Sequence, residues 1–227
     1  MRRSTIRVAL FCAAVSVRAS AQNPSPAQGE HVRGTIESTD GQVLTVATSS
    51  GSVRIRLAPS TRVAEVVRSD ASHITDGSFV GITSVAGPDG SQRAVEVHIF
   101  PEAMRGTGEG SYGWDWPGAS HGGKMTNGTA LGSKMSNGSV SKSKMTNGSA
   151  SASAGGSSLT VRYKDGTSDG SQTITIPPGI PVVALQPGGS GNLQPGVHVF
   201  VVATRSSDGG LTANRVLAGK DGVVPPM

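Results

Sequence analysis

The sequence predicts an all-β protein of two tandem small barrels joined by a glycine-rich flexible linker. Three observations predict it. Apolar and polar residues alternate with a period of two through most of residues 31–100 and 157–219, and Asp-Gly or Ser-Gly pairs interrupt the alternation. This is the pattern of half-buried antiparallel strands joined by tight turns. The 32 glycines and the 4% aromatic content suit short strands with many turns, and no long amphipathic helical pattern occurs. Finally, the same order of strand-like segments is met twice.

The chain opens on a basic start (Arg2, Arg3, Arg7), an apolar run VALFCAAVSV (8–17) and the small-residue pattern Ala19-Ser20-Ala21. Residues 1–21 are expected to be a secretory signal peptide cleaved after Ala21, placing the mature chain in the periplasm or outside the cell. The run is too short for a spanning helix, which takes about 20 apolar residues. Phe11, bulky and directly before Cys12, excludes a lipoprotein signal. The Arg2-Arg3 pair hints at twin-arginine export, but its surroundings match that signal poorly.

Residues 22–30 form an N-terminal linker, and 31–101 the first β domain. Its strands are expected at HVRGTIES (31–38), QVLTVATS (42–49), SVRIRLAP (52–59), RVAEVV (62–67), SFVGITSV (78–85) and QRAVEVHIF (92–100). In the second half SSLTVRYK (157–164), QTITIPPGIPVV (172–183), LQPGVHVFVVAT (193–204) and GLTANRVLAG (210–219) repeat that order, which points to an internal duplication. Between the halves KMTNGTA, KMSNGSV and KMTNGSA recur at a spacing of ten residues from Lys124. Counting back from Leu159-Thr160-Val161 makes the last copy, 144–150, the first strand of a second domain spanning 144–219. The other copies then lie in a linker at 102–143, and 220–227 is a C-terminal tail. Asn127, Asn137 and Asn147 are formal glycosylation acceptors, but Asn-Gly turns followed by hydroxyl residues produce the same triplet.

Charge and cysteine exclude several classes. The chain carries 20 Lys+Arg against 15 Asp+Glu, but Arg2, Arg3, Arg7 and Arg18 leave with the signal, so the mature chain has 16 against 15. A net charge near zero gives no reason to expect a nucleic-acid partner. Cys12 is the single cysteine and leaves too, so no disulfide framework or thiolate site is expected. No transmembrane segment is expected in the mature chain.

VEVHIFPEAMRGTGEG (95–110), MTNGT (125–129), HVFVVATR (198–205) and GKDGVVPPM (219–227) together resemble a family of secreted proteobacterial proteins of unknown function. The resemblance covers nearly the whole mature chain and implies that the β domains are OB-like barrels. Members often carry the label "metal ABC transporter permease". A permease requires several apolar helices of about 20 residues, and no such segment follows residue 21.

Two candidate sites stand out. With Val95, Val97 and Ile99 facing a core, Glu96 and His98 project together on the solvent face, about 7 Å apart along the strand. Either they form a plain solvated strand face with one histidine, or they hold a divalent metal ion, the one candidate cofactor, with Glu102 as third ligand. Tyr112, Trp114 and Trp116, with Glu109 and Asp115 among them, form an aromatic and acidic glycine loop suited to stacking on a sugar or base, or to holding a cation. Alternatively, the tryptophans glue the two domains together. GTGEG (106–110) lacks the following helix a phosphate loop needs. No GxSxG elbow or paired nucleophile and base occurs, so no catalytic residue is expected. The leading expectation is a non-enzymatic envelope protein that binds or scaffolds an envelope component or glycan. The alternative is a soluble metal-binding accessory protein. Oligosaccharide or nucleic-acid binding by OB-like barrels ranks third.

Overall fold

A computed structural model describes residues 29–117, 122–134 and 157–227; the expected signal peptide and the NG segments around Asn137 and Asn147 lie outside the described residues. Among the described residues the regular structure is strand, apart from three single-turn 3-10 segments. No helix among them is long and apolar enough to cross a membrane.

Strands β1 (Glu30–Thr39), β2 (Val43–Thr48) and β3 (Gly51–Arg68) form an antiparallel meander. A 3-10 turn at Ala71–His73 leads to the hairpin β4 (Phe79–Ala86) and β5 (Gln92–Phe100). A second turn, Glu102–Met104, precedes the hairpin β6 (Gly110–Trp114) and β7 (Gly123–Lys134). Then come β8 (Ser157–Asp165), β9 (Ser168–Ile176), β10 (Val182–Pro187), a turn at Ser190–Asn192, and the hairpin β11 (His198–Arg205) and β12 (Leu211–Gly219).

These strands close into two five-stranded rings. One runs β1-β2-β3-β12-β11 and back to β1, with β3 and β12 parallel. The other runs β7-β8-β9-β5-β4 and back to β7, with β9 and β5 parallel. Both have the same Greek-key order, as the OB-like reading requires. The expected boundaries are corrected, however. Neither 31–101 nor 144–219 is a self-contained barrel, because each ring takes its meander from one half of the chain and its hairpin from the other. The cause is the length of β3. Its 18 residues reach on the order of 60 Å, against about 20 Å for an ordinary strand. It therefore delivers β4 and β5 to the far ring rather than turning back. Where the two halves pass, β3 pairs antiparallel with β10, Val183 opposite Arg68 through Pro187 opposite Ala64. Thr61 stabilises the irregularity near the middle of β3: its hydroxyl donates to the Ala213 carbonyl at 2.7 Å and accepts from the Ala58 N–H at 2.9 Å.

The first strand of the second ring is also corrected. The first NG copy, KMTNGTA, forms it within β7; residues 144–150, expected in that place, lie outside the described residues. The β6 hairpin anchors that copy, Gly110 opposite Asn127 through Trp114 opposite Gly123, and β4 pairs with the same residues from its other side. The segment expected as a flexible loop thus contains a strand. Within it Gly106, Gly108 and Gly110 adopt positive φ of 79°, 59° and 140°, so GTGEG serves as turn chemistry.

Each ring has its own apolar interior. Leu44, Val46, Ile55, Val201 and Val216 fill the first; Val80, Ile82, Val97, Val161 and Ile174 fill the second. A third core joins them. Val66, Leu185, Phe200 and Leu217 pack there with Val223 and Met227 of the terminal segment, and Phe100 and Trp114 flank them.

Gly34 and Gly128 occupy equivalent places in the two rings, where the first strand crosses its neighbour most closely. A Cβ would lie 2.0 Å from the Ala47 carbonyl oxygen at Gly34 and 2.2 Å from that of Arg162 at Gly128. Gly34→Ala and Gly128→Ala are each expected to cost ~2–3 kcal/mol in urea unfolding. A loss below about 0.5 kcal/mol would mean that the crossing is looser than described.

Candidate functional site

A cavity of about 340 Å³ lies between the two rings. Its walls come from β1, β3, β5, β7, β10, β11 and β12 and from the 108–114 segment, so it exists only because the rings interleave. Apolar lining comes from Phe100, Met125, Leu185, Phe200 and Leu217, with Met227 reaching in from the terminal segment. Tyr112 and Trp114 form an aromatic wall. The Trp114 ring lies 4.4 Å from His31, 5.9 Å from Phe200 and 6.3 Å from Tyr112. Trp114 therefore links β6, which is paired to the second ring, with β1 and β11 of the first.

Polar groups also line it, Ser60, Asn127, Asn214 and two arginines among them. Asn127 Nδ2 donates to the Gly108 carbonyl and to the Tyr112 hydroxyl, both at 2.9 Å. Those bonds and its burial leave Asn127 unsuited to carry a glycan in the folded chain. Four buried cavity atoms have no hydrogen-bond partner among the described residues: His98 Nε2, Trp114 Nε1, Asn127 Oδ1 and Arg215 Nε. Arg62 and Arg215 stand opposite each other on the parallel pair β3 and β12, and both line the cavity. Among the described residues no aspartate or glutamate lines it.

The chain matches no protein-family model, no curated protein and no solved structure. The chemistry of the site must therefore come from its own residues.

The expectation of a solvent-facing Glu96 and His98 is corrected. Val97 and Ile99 do face the second ring's interior, and Glu96 and His98 share the opposite face. That face is covered by the first ring, the Trp114 segment and residues 223–227, leaving Glu96 0% and His98 1% exposed. Thr83 Oγ1 donates to Glu96 Oε1 at 2.5 Å, and His98 Nε2 lies 3.9 Å from the same oxygen. Burial pushes the Glu96 carboxyl up to about 8, against the lowering effects of the Thr83 hydrogen bond and the Arg33 charge. Burial likewise pushes the His98 imidazole down to about 4, opposed by a hydrogen bond with the Pro226 carbonyl. Near neutral pH both groups are uncharged, so their contact is not an ion pair.

Glu102 does not join them. It is exposed, and Arg105 holds both its oxygens at 2.6 Å. Among the described residues no three His, Cys, Asp or Glu side chains are grouped as a metal site would need. Glu96 and His98 alone supply two of the three or four protein ligands zinc takes. Zinc titrated calorimetrically into residues 22–227 is expected to give the same heat for the parent chain and for Glu96→Gln; stoichiometric binding lost in the variant would revive the metal reading.

The aromatic loop divides. Tyr112 and Trp114 face the cavity. Trp116 lies in a separate shallow groove with Pro117, His198 and residues 224–227. Glu109 accepts from the Lys164 backbone N–H at 3.2 Å and is not among the cavity residues. Asp115 is bound by the first ring: Arg33 donates to both its oxygens at 3.0 Å, and His31 Nδ1 lies 2.6 Å from Oδ1. Burial raises the Asp115 carboxyl, but the hydrogen bonds from Arg33 and His31 outweigh it and hold it below the usual range. Asp115 is thus a clasp between the rings.

His31, Arg62, Phe200 and Arg215 were not singled out by the sequence. Arg215 carried the one available signal, a charge inside the otherwise apolar strand segment NRVLAG.

Proposed function

We propose that the chain is a non-enzymatic binding protein, exported to the periplasm or beyond, whose ligand site is the cavity between its two rings. The observation that carries this reading is an aromatic-walled cavity of mixed apolar and polar lining with a few buried polar atoms left unpartnered. Ligand sites have this make-up, and 340 Å³ lies at the small end of the roughly 300–1,000 Å³ they span. Buried polar atoms without partners are costly unless something satisfies them. The basic and apolar start of the chain, and its resemblance to a secreted family, support export.

A thermal-shift screen of residues 22–227 against small acids, amides, alcohols and sugars tests the reading. A ligand at about 100 times its Kd stabilises by ~2.7 kcal/mol, or about 5–10 °C for a chain of this size. Ser60→Trp, at an exposed position on the cavity rim, is expected to abolish the shift without altering the unliganded Tm. Hits that survive Ser60→Trp would place binding elsewhere.

A further inference from the structure

We infer that the cavity binds a small organic carboxylate, with its carboxylate against Arg215 and its apolar body against Trp114 and Phe200; this rests on the cavity being the ligand site. Four observations lead there. Arg62 and Arg215 are matched partners on β3 and β12, so two guanidinium groups approach the cavity from adjacent strands. Neither has a hydrogen bond or ion pair among the described residues, and the buried Nε of Arg215 lacks a partner. By contrast Arg33, Arg105 and Arg205 are all bound to carboxylates.

The unpartnered Trp114 nitrogen points to the same ligand chemistry. Trp114 Nε1 can only donate, so it requires an acceptor. Neutral His98 bonds the Pro226 carbonyl through its other ring nitrogen, so its unpartnered Nε2 is an acceptor and takes no part in holding the carboxylate. A planar carboxylate has two acceptor oxygens and suits the fork of a guanidinium. Arg62 is exposed and Arg215 half-buried, so the first can draw an anion to the rim and the second receive it inside. Beside Ser60, Asn127, Asn214 and two histidines, the rest of the lining is apolar or aromatic, which favours a ligand with a flat or branched hydrocarbon body over a bare inorganic anion. Burial and the nearby Arg62 charge together push the Arg215 pKa down, the effect of cationic groups placed with no anion among them.

The test uses residues 22–227 and a series of aromatic and branched monocarboxylates (3-phenylpropionate, 4-methylvalerate, indole-3-acetate), each beside its neutral primary amide. Binding is measured by calorimetry and by tryptophan fluorescence. The acids are expected to bind at least tenfold more tightly than their amides. Arg215→Gln is expected to remove that preference, Arg215→Lys to keep part of it, and Arg62→Gln chiefly to slow association. Lys220→Gln, whose parent residue pairs with Glu65 away from the cavity, serves as control. Acids and amides bound equally, with Ser60→Trp blocking both, would overturn the carboxylate inference and leave the cavity as the site. Binding of inorganic phosphate in preference to every organic acid would overturn the apolar-body assignment. No binding by any acid or amide would overturn both this inference and the cavity reading. If Arg215→Gln fails to fold, Arg215→Lys and the acid-to-amide ratio of the parent chain still decide the matter.

Discussion

Glu96→Gln is expected to leave stability nearly unchanged at pH 4.5 and to raise it by about 4–5 kcal/mol above pH 8. Glu96 is fully buried, and its carboxyl is pushed from 4.5 to about 8 in the folded chain. The groups bearing on it are Thr83 on β4, His98 on β5 and the Arg33 charge from β1, and desolvation outweighs them. A folded pKa above the unfolded one means that the native state holds the proton more tightly. The stabilising contribution is therefore complete below about pH 4.5 and is lost as pH rises through 8. Glutamine keeps an oxygen to accept the Thr83 hydroxyl and has no proton to lose, so the variant escapes that loss. His98 acts in the opposite sense. Its folded pKa of about 4 lies below the ordinary 6.5, so its contribution is complete above pH 6.5 and is lost as pH falls through 4. Together they predict a plateau of stability between about pH 4.5 and 6.5. Urea unfolding of both chains from pH 4 to 9 checks this; parallel curves for parent and variant would show that Glu96 reaches water when folded.

The second large effect concerns the interleaved rings. A protease site placed within residues 118–121 and cut in the folded protein is expected to leave both fragments in one particle on gel filtration. Each ring contains strands from both fragments: β1–β3 with β11–β12, and β7–β9 with β4–β5. The fragments should part only in denaturant, and neither alone should recover a folded monomer. Mixing them in equal amounts should restore β-sheet circular dichroism. Two tandem barrels would behave oppositely, parting on cleavage as two folded monomers. That outcome would refute the interleaving. Asp115, clasped by Arg33 and His31, lies with both partners on the N-terminal fragment, so it ties the rings and not the fragments. Its geometry is bidentate, but it is about half exposed, so its loss should cost little beside the strand pairing.

Much of the strand content was legible. QRAVEVHIF was expected at 92–100, the extent of β5, and HVRGTIES lies within β1. Alternation placed Val97 and Ile99 toward a core correctly. The same alternation misled on Glu96 and His98, because a period of two separates faces without saying what covers either face. For the NG copies, spacing alone favoured residues 144–150. The first copy is held as a strand by pairing, since β6 and β4 both bond to residues 123–129.

The sequence by itself determined the all-β class, most strand positions and the turns, because alternation, Gly and Asp act through neighbouring residues. Only the tertiary structure decided which hairpin closes which meander, and with it the cavity. Arg62 and Arg215 are 153 positions apart and meet through a parallel register that an 18-residue strand imposes. His98, Trp114 and Phe200 converge for the same reason. Contacts of that separation depend on the path of the chain between them, and local residue chemistry does not encode that path.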